Sequence, residues 1–425
     1  MTGLRAGTFP EAAVRERART GTAAAFPDLA DYGHALFGAP AADPAADELD
    51  AARLVPPVFV PERLEKLIDL AREPLPTDVD LTTDIGGFAS ALPVYLSAFG
   101  STQVASADLG QAASGQAGAL GVPMVVGENV VPVNGYGRLT GGAGRSLLGR
   151  IRAYADAAPD GLGGVVVQQS TEDADAEVWN LVYSDPSARP LLDSGRLGFE
   201  LKVGQGAKPG LGGMTVVDAA EGGRLSEQFA VEPVFDPASG RVLRCASPGT
   251  FTEEILRQQV RLMRNNFPRA RVWVKLPPGR DVAAAAAVAW EAGADAVTVD
   301  GAEGGSGWAP TAFLAGVGLP LAECLRRIGA PAGCLLVSGR VWEGLRAVKC
   351  LALGARATGL GRAALIAVDE DPRAGLVRLV ECLALELRML VSALGKYRVP
   401  ALSPDDVWSP RGWAVPERAP LGAVR

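Results

Sequence analysis

The chain has 425 residues, 48% hydrophobic and 21% charged, a balance that suits a globular protein large enough for one α/β barrel with additions or for two or three ordinary domains. A net charge of −7 argues against a general nucleic-acid or anionic-membrane binder, and no stretch approaches the continuous apolar 18-mer of a membrane helix. Five dispersed cysteines without CxxC spacing read as reduced thiols, and a single histidine, His34, excludes multi-histidine metal sites and most histidine-based nucleophile systems. The first twenty residues lack the apolar core of a signal peptide, so a cytoplasmic location is expected.

Residues 1–80 read as an N-terminal extension, helical over Glu11–Arg19 and again over Pro61–Arg72, where Pro61 sits in the first turn and Pro74 stops the helix. From residue 81 to 395, short apolar runs alternate with longer helical stretches. The runs are Ala91–Phe99, Pro123–Asn129, Gly164–Gln169, Phe199–Gly204, Arg271–Leu276, Ala296–Gly301, Cys334–Gly339 and Ala357–Arg362. Runs this short and this apolar suit parallel strands covered on both faces by helices. Helices are expected over Gly144–Ala158, Phe251–Asn266, Asp281–Ala292, Ala312–Arg327 and Trp342–Leu353, with Thr250 or Thr252 capping the second. Strands and helices alternating in this way predict an α/β fold, a (β/α)8 TIM barrel. A doubly wound sheet ordinarily shows GxGxxG after its first strand, and this chain does not. Residues 205–250 are too many for a simple crossover and predict an insertion between strands four and five, on the barrel's C-terminal face. Beyond strand eight, Pro372–Leu394 carries an apolar helical stripe, and 396–425 form a Pro-rich tail with Trp408 and Trp413.

Functional residues of such barrels cluster where the strands end. Strand four runs into GFELKVGQGAKPGLGGM (198–214), where glycines frame Lys202, Gln205 and Lys208. Glycines let backbone approach a ligand closely, and lysines placed there hold an anion or stabilise charge developing on a bound ring; the plainer reading is a solvated loop. The other strand ends bring Ser97–Thr102, Glu128 and Asn129, Gln168 and Gln169, Lys275, Asp300 with Glu303, Ser338–Arg340 and Gly359–Arg362. The loops after strands seven and eight read SGR and GLGR with a helix expected after each, so backbone N–H groups with Arg340 or Arg362 would receive a dianion; a tight turn is the alternative. The sixth loop, DGAEGGSGWAP, adds Gly304 and Gly305. Together these ends suit a phosphate-bearing planar cofactor, with Lys275 near a ring atom that becomes negative on reduction or, alternatively, reaching solvent.

GFELKVGQGAKPGLGGM, SPGTFTEEILRQQV, VWVKL, VTVDGAEGGSGWAP and LLVSGRVWEGLRAVKCLALGARATGLGRAALIA occur in that order. Over most of residues 75–395 the chain resembles the FMN-binding synthase domain of the glutamate synthase large-subunit family. The resemblance implies a flavin barrel with the FMN phosphate at Gly339, Arg340, Gly359, Gly361 and Arg362. It places Ser97, Ala98, Gly100 and Lys275 beside the ring, with Asp300, Gly304 and Gly305 at the cofactor, and Lys202, Gln205, Lys208 and Glu128 around flavin and substrate. In that family reduced FMN delivers hydride to 2-iminoglutarate, so the resemblance implies an FMN-dependent oxidoreductase acting on a small amino acid, imine or 2-oxo acid. Departures are visible. Ala98-Phe99-Gly100-Ser101 stands where the family has Met-Ser-(Leu/Phe)-Gly-Ala, and Gly127-Glu128-Asn129 replaces a glycine-glutamate-glycine-glycine turn. Ala363–Asp371 has no cysteine where full enzymes hold a 3Fe–4S cluster, so no iron–sulfur cluster is expected. The family's glutaminase domain has no counterpart in this sequence, so ammonia from glutamine is not expected here. Retained flavin, a changed small-molecule substrate, a separate electron-donor protein and a homo-oligomer are the resulting expectations. The alternatives are a divergent oxidase, dehydrogenase or isomerase of specialised metabolism, or a non-catalytic partner subunit.

Overall fold

The apolar runs become eight parallel strands that close on themselves in a computed structural model. It describes residues 4–7, 9–25, 47–58, 72–99, 108–127, 143–170, 176–204, 214–227, 229–235, 237–245, 251–304 and 316–413. The strands are β1 (Val94–Phe99), β2 (Met124–Val126), β3 (Val165–Ser170), β4 (Leu197–Lys202), β5 (Arg271–Leu276), β6 (Ala296–Asp300), β7 (Leu335–Ser338) and β8 (Ala357–Leu360). Each pairs in parallel with the next, and β8 returns to β1 with Gly359 opposite Tyr95. Every residue of β3, β6, β7 and β8 is buried, as expected for strands with side chains on one face and helices on the other.

Among the described residues, the helices are α1 (Glu11–Thr20), α2 (Glu48–Ala51), α3 (Asp108–Ala119), α4 (Ala143–Ala157), α5 (Ala176–Ser184), α6 (Glu253–Asn266), α7 (Val282–Glu291), α8 (Leu321–Ile328), α9 (Gly344–Ala352), α10 (Arg362–Glu370) and α11 (Gly375–Ala393), with two further short ones at Arg189–Asp193 and Ala219–Leu225. The Thr252 hydroxyl accepts from the Ile255 N–H at 3.1 Å, so α6 starts at Glu253, two residues later than expected. In the described part of the expected helix over Ala312–Arg327, Gly316 is helical, residues 317–320 are not, and the helix resumes at Leu321 behind Pro320. Residues 61–71 of the expected Pro61–Arg72 helix and His34 lie outside the described residues, and Arg72 itself sits at a bend.

Besides a small cluster of Ala52, Ala352 and Val407, apolar packing among the described residues falls into two layers. The larger lies between strands and helices and holds residues such as Leu96, Phe199, Val274, Leu360 and Leu383. The smaller fills the lower barrel interior with Tyr95, Val125, Val166, Trp273, Ala296, Leu336 and Ala357. A hairpin of Thr83–Ile85 and Phe88–Ser90 plugs this end, inserting Ile85 and Phe88. Its two-residue turn needs positive φ twice, which Gly86 (56°) and Gly87 (90°) supply. Trp273 Nε1 donates to the Gly86 carbonyl at 3.0 Å, and a Cβ on Gly86 would sit 2.5 Å from that nitrogen.

The 205–250 insertion contains more order than its turn chemistry suggested. Met214–Asp218, Ala230–Glu232 and Arg241–Cys245 form a three-stranded antiparallel sheet. The N-terminal extension lies across the late helices: Arg15 of α1 pairs with Asp369 at 2.8 Å and Glu370 at 3.2 Å on α10. The C-terminal segment returns so that Val407–Trp408 pairs with Arg53–Leu54. Among the described residues no helix is long and apolar enough to cross a membrane.

Candidate active site

Along the inner faces the side chains turn polar towards the strands' C-terminal ends. Two-residue periodicity sends Trp273 and Lys275 of β5 inward together, and likewise Ala296, Thr298 and Asp300 of β6. Lys275 and Asp300 are 5% and 6% exposed, and Lys275 Nζ lies 2.8 Å from Asp300 Oδ2. Asp300 also accepts from the Ser338 hydroxyl, whose oxygen lies 3.3 Å from that of Ser97. The sequence expectations Ser97, Lys275 and Asp300 are thus brought into one buried chain through Ser338. Lys202 ends β4 in register with Lys275, half-buried. Ala98, also half-buried, follows Ser97 on β1. Glu128, Gln205, Lys208, Gly100 and Gly305 lie outside the described residues.

Glu200 is the group that the sequence reading passed over. It is 1% exposed inside the barrel, accepting from Gln168 Nε2 at 2.5 Å and from the Thr298 hydroxyl at 2.9 Å. Burial pushes its carboxyl up, while the Lys275 charge and both donors oppose the rise. Tyr95, beneath, has a buried hydroxyl with no well-formed hydrogen bond. Burial, with Asp300 and Glu200 adding, raises its phenol well above the ordinary value. The signal for Glu200 was its position two residues before Lys202, on the same strand face.

The seventh and eighth loops form the second half of the site. Gly339 has φ 144° and packs against Gly301, and Arg340, at φ 58°, is the non-glycine residue with positive φ among those described. Its guanidinium pairs with Asp50 at 3.0 Å, and its buried Nε lacks a partner. Arg362 donates to the Glu303 carbonyl at 2.5 Å, and its charge is disfavoured first by burial and then by neighbouring Arg340. Gly304 closes the turn after β6 by donating to the Gly301 carbonyl at 2.8 Å. Gly361 precedes α10 without a side-chain cap, and a Cβ there would meet open space. Gly359 is different: a Cβ would lie 2.7 Å from the Tyr95 ring, so the barrel interior itself requires glycine. A separate cavity of about 180 Å³ lies outside the barrel wall, lined by Val203, Phe251, Leu256, Leu276, Pro277 and Val288.

This arrangement offers a buried ammonium–carboxylate pair on the barrel axis beside an arginine pair and an uncapped helix start. It can hold an anion at the loops and stabilise charge over the strand ends. Among the described residues no acidic, histidine or cysteine cluster could bind a metal ion.

Residues 191–371 match the family described as the conserved region in glutamate synthase. An archaeal-type glutamate synthase [NADPH] of Dehalococcoides mccartyi is 30% identical over 186 residues, covering 42% of this chain and 36% of that protein. A glutamate synthase large subunit-like protein of Rhizobium meliloti is 30% identical over 251 residues, covering 56% of this chain and 54% of that protein. The chain thus spans between about a third and about half the length of these two relatives. Among solved structures, a chimera of (S)-mandelate dehydrogenase superposes with TM-score 0.55 at 19% identity, covering 94% of this chain and 99% of that one. A flavocytochrome b2 variant does so with TM-score 0.55 at 18% identity, covering 85% and 76%. These two likenesses bear on the fold. The sequence matches make the chain glutamate synthase-like over that region, and the structural likenesses add the barrel fold.

Proposed function

We propose that the barrel is an FMN-dependent oxidoreductase that moves hydride between its flavin and a small amino acid, imine or 2-oxo acid. The observation that carries this reading is Lys275, a lysine buried at the inner end of β5 and held by Asp300 at 2.8 Å, within the region matched to glutamate synthase. A lysine sequestered at a barrel's C-terminal end, with its charge fixed, suits a ring that becomes negative on reduction.

The residues present fit such a group. Arg340 keeps a buried Nε–H without a partner, Arg362 carries a charge disfavoured by burial and then by neighbouring Arg340, and α10 begins uncapped beside open space at Gly361. A phosphate would satisfy all three. In this reading Arg340, Arg362, Gly361 and Gly339 hold the phosphate, and Ser97, Ala98 and Lys275 face the ring. Bound there, FMN supplies a two-electron carrier. Lys202, with Gln205 and Lys208 from the glycine-rich loop, binds substrate carboxylates, and Glu128 contributes from the second loop. Asp300 keeps Lys275 oriented, and Ser338 keeps Asp300 oriented.

The test is spectroscopic. Purified protein should be yellow or become so with FMN, and its flavin absorbance should respond to one member of a screen of amino-acid donors and of 2-oxo acids with ammonia. Colourless protein that FMN does not restore would sink the proposal. Yellow protein inert to all these compounds would overturn the substrate class.

A further inference from the structure

Among the described residues the barrel strands bury one cation, Lys275, and two carboxylates, Asp300 and Glu200. Asp300 is the direct partner. Glu200 is the surplus, and a second buried carboxylate is costly unless it serves a neighbour.

Its geometry shows which neighbour. Glu200 stands on β4, but its Oε1 accepts from Thr298 on β6, and β5 lies between those strands. The side chain therefore crosses the inner face of β5. Lys275 of β5 is in register with Thr298 on one side and Lys202 on the other, so the Glu200 carboxylate spans the position from which the lysine projects. The second oxygen, Oε2, is fixed by Gln168 from β3. Both bonds are donated to Glu200, which suits an ionised acceptor; burial raises the carboxyl, and the Lys275 charge is the largest influence opposing that rise.

We propose that Glu200 is a positioning residue for Lys275: with Asp300 it makes a two-carboxylate seat that fixes the ammonium on the barrel axis and tempers its charge, thereby setting how strongly a bound flavin holds electrons. This rests on the FMN reading above. In a low-dielectric interior, one carboxylate more or less beside a lysine changes the potential felt by a ring that gains negative charge.

The experiment measures the midpoint potential of the FMN-loaded protein at one pH, by equilibration with reference dyes, for wild type, Glu200→Gln and Thr298→Val. Glu200→Gln keeps the side-chain shape and removes the charge, leaving Lys275 less compensated. At a fixed applied potential its reduced-to-oxidised ratio should rise about tenfold, roughly 30 mV for a two-electron couple. Thr298→Val removes one donor to the carboxylate and should shift the potential the same way by less. A Glu200→Gln protein that melts like wild type, binds FMN and keeps the wild-type potential would show that Glu200 only packs the barrel. If that variant fails to fold, an unchanged potential in Thr298→Val overturns the proposal instead. Wild-type protein that takes up no FMN removes the flavin reading and this proposal with it, a result distinct from yellow protein whose potential ignores residue 200.

Discussion

Arg340 sits at φ 58°, a conformation that costs a residue with a Cβ about 1–2 kcal/mol, and the ion pair with Asp50 at 3.0 Å helps hold it there. Glycine is what such a backbone ordinarily selects; an arginine at this point keeps a guanidinium at the loop after β7 at the expense of local strain. Gly359 poses the opposite problem, because its backbone is ordinary but its space is taken by Tyr95 and Ser338. Gly359→Ala should therefore destabilise by about 1–3 kcal/mol through overpacking, whether or not a cofactor is present. Thermal melting of the cofactor-free protein checks this, and an unchanged midpoint would mean that Tyr95 moves aside freely. Gly359 was visible in the sequence as part of a glycine-rich loop, but its clash with Tyr95 depends on the closure of β8 onto β1, which no local pattern encodes. Glu200 was legible in principle from its two-residue spacing to Lys202, but its setting among Phe199, Leu201 and Val203 reads as an apolar strand.

At the scale of elements, the short helix α2 anchors the N-terminal segment to the barrel. Asp47 caps it by accepting from the Asp50 N–H at 2.9 Å and also accepts from Arg346 of α9 at 2.7 Å, while Lys349 Nζ donates to the Leu49 carbonyl at 2.7 Å. Arg346 is 1% exposed and serves Asp47, Asp50 and Glu303 together. Arg346→Ala removes the buried cation that three carboxylates share, although Asp50 keeps Arg340, and should cost about 3–5 kcal/mol at neutral pH, read from urea denaturation. The pH dependence has a definite sign. Burial raises the Asp47 carboxyl, but Arg346 and the backbone outweigh it, so the folded value is depressed. The stability from Asp47 is thus present above the ordinary aspartate range and lost as pH falls through the depressed value. Glu303 is raised, chiefly by burial, so its protonation on acidification favours the folded chain. Without Arg346, Asp47 and Glu303 both gain from protonation, and the difference between Arg346→Ala and wild type should shrink as pH drops from 7 towards 4. A constant difference would show that the lost contribution is packing rather than charge. None of this docking was legible in the sequence, since Asp47 and Arg346 are 299 residues apart. The antiparallel sheet within 214–245 escaped for another reason: Ala230–Glu232 is short and largely exposed, with no apolar face to betray it.

For the whole molecule, the eight barrel strands were readable because burial on both faces makes each one apolar at successive positions, and the helix–strand alternation then leaves few ways to close. The plug at the barrel base was not readable, because Ile85 and Phe88 precede the rhythm that identifies the barrel. Trp273 meets Phe88 at 5.6 Å and Tyr95 edge-on at 6.4 Å, joining plug and wall. Trp273→Ala should cost about 3–5 kcal/mol and dull the near-ultraviolet circular dichroism of the remaining aromatics; a smaller loss would mean that the plug collapses into the space. The same closure has a consequence for how the protein is made. Arg15 finds Asp369 across 354 positions of chain, and β1 cannot complete its pairing until β8 exists. At ~5–20 residues per second, a ribosome needs roughly 20–70 s to span that interval. Throughout it, Val14 and Ala18 of α1, fully buried in the finished fold, have no berth. Helix α1 is therefore translated long before its berth exists and is seated late, which leaves its apolar face open to aggregation throughout that interval.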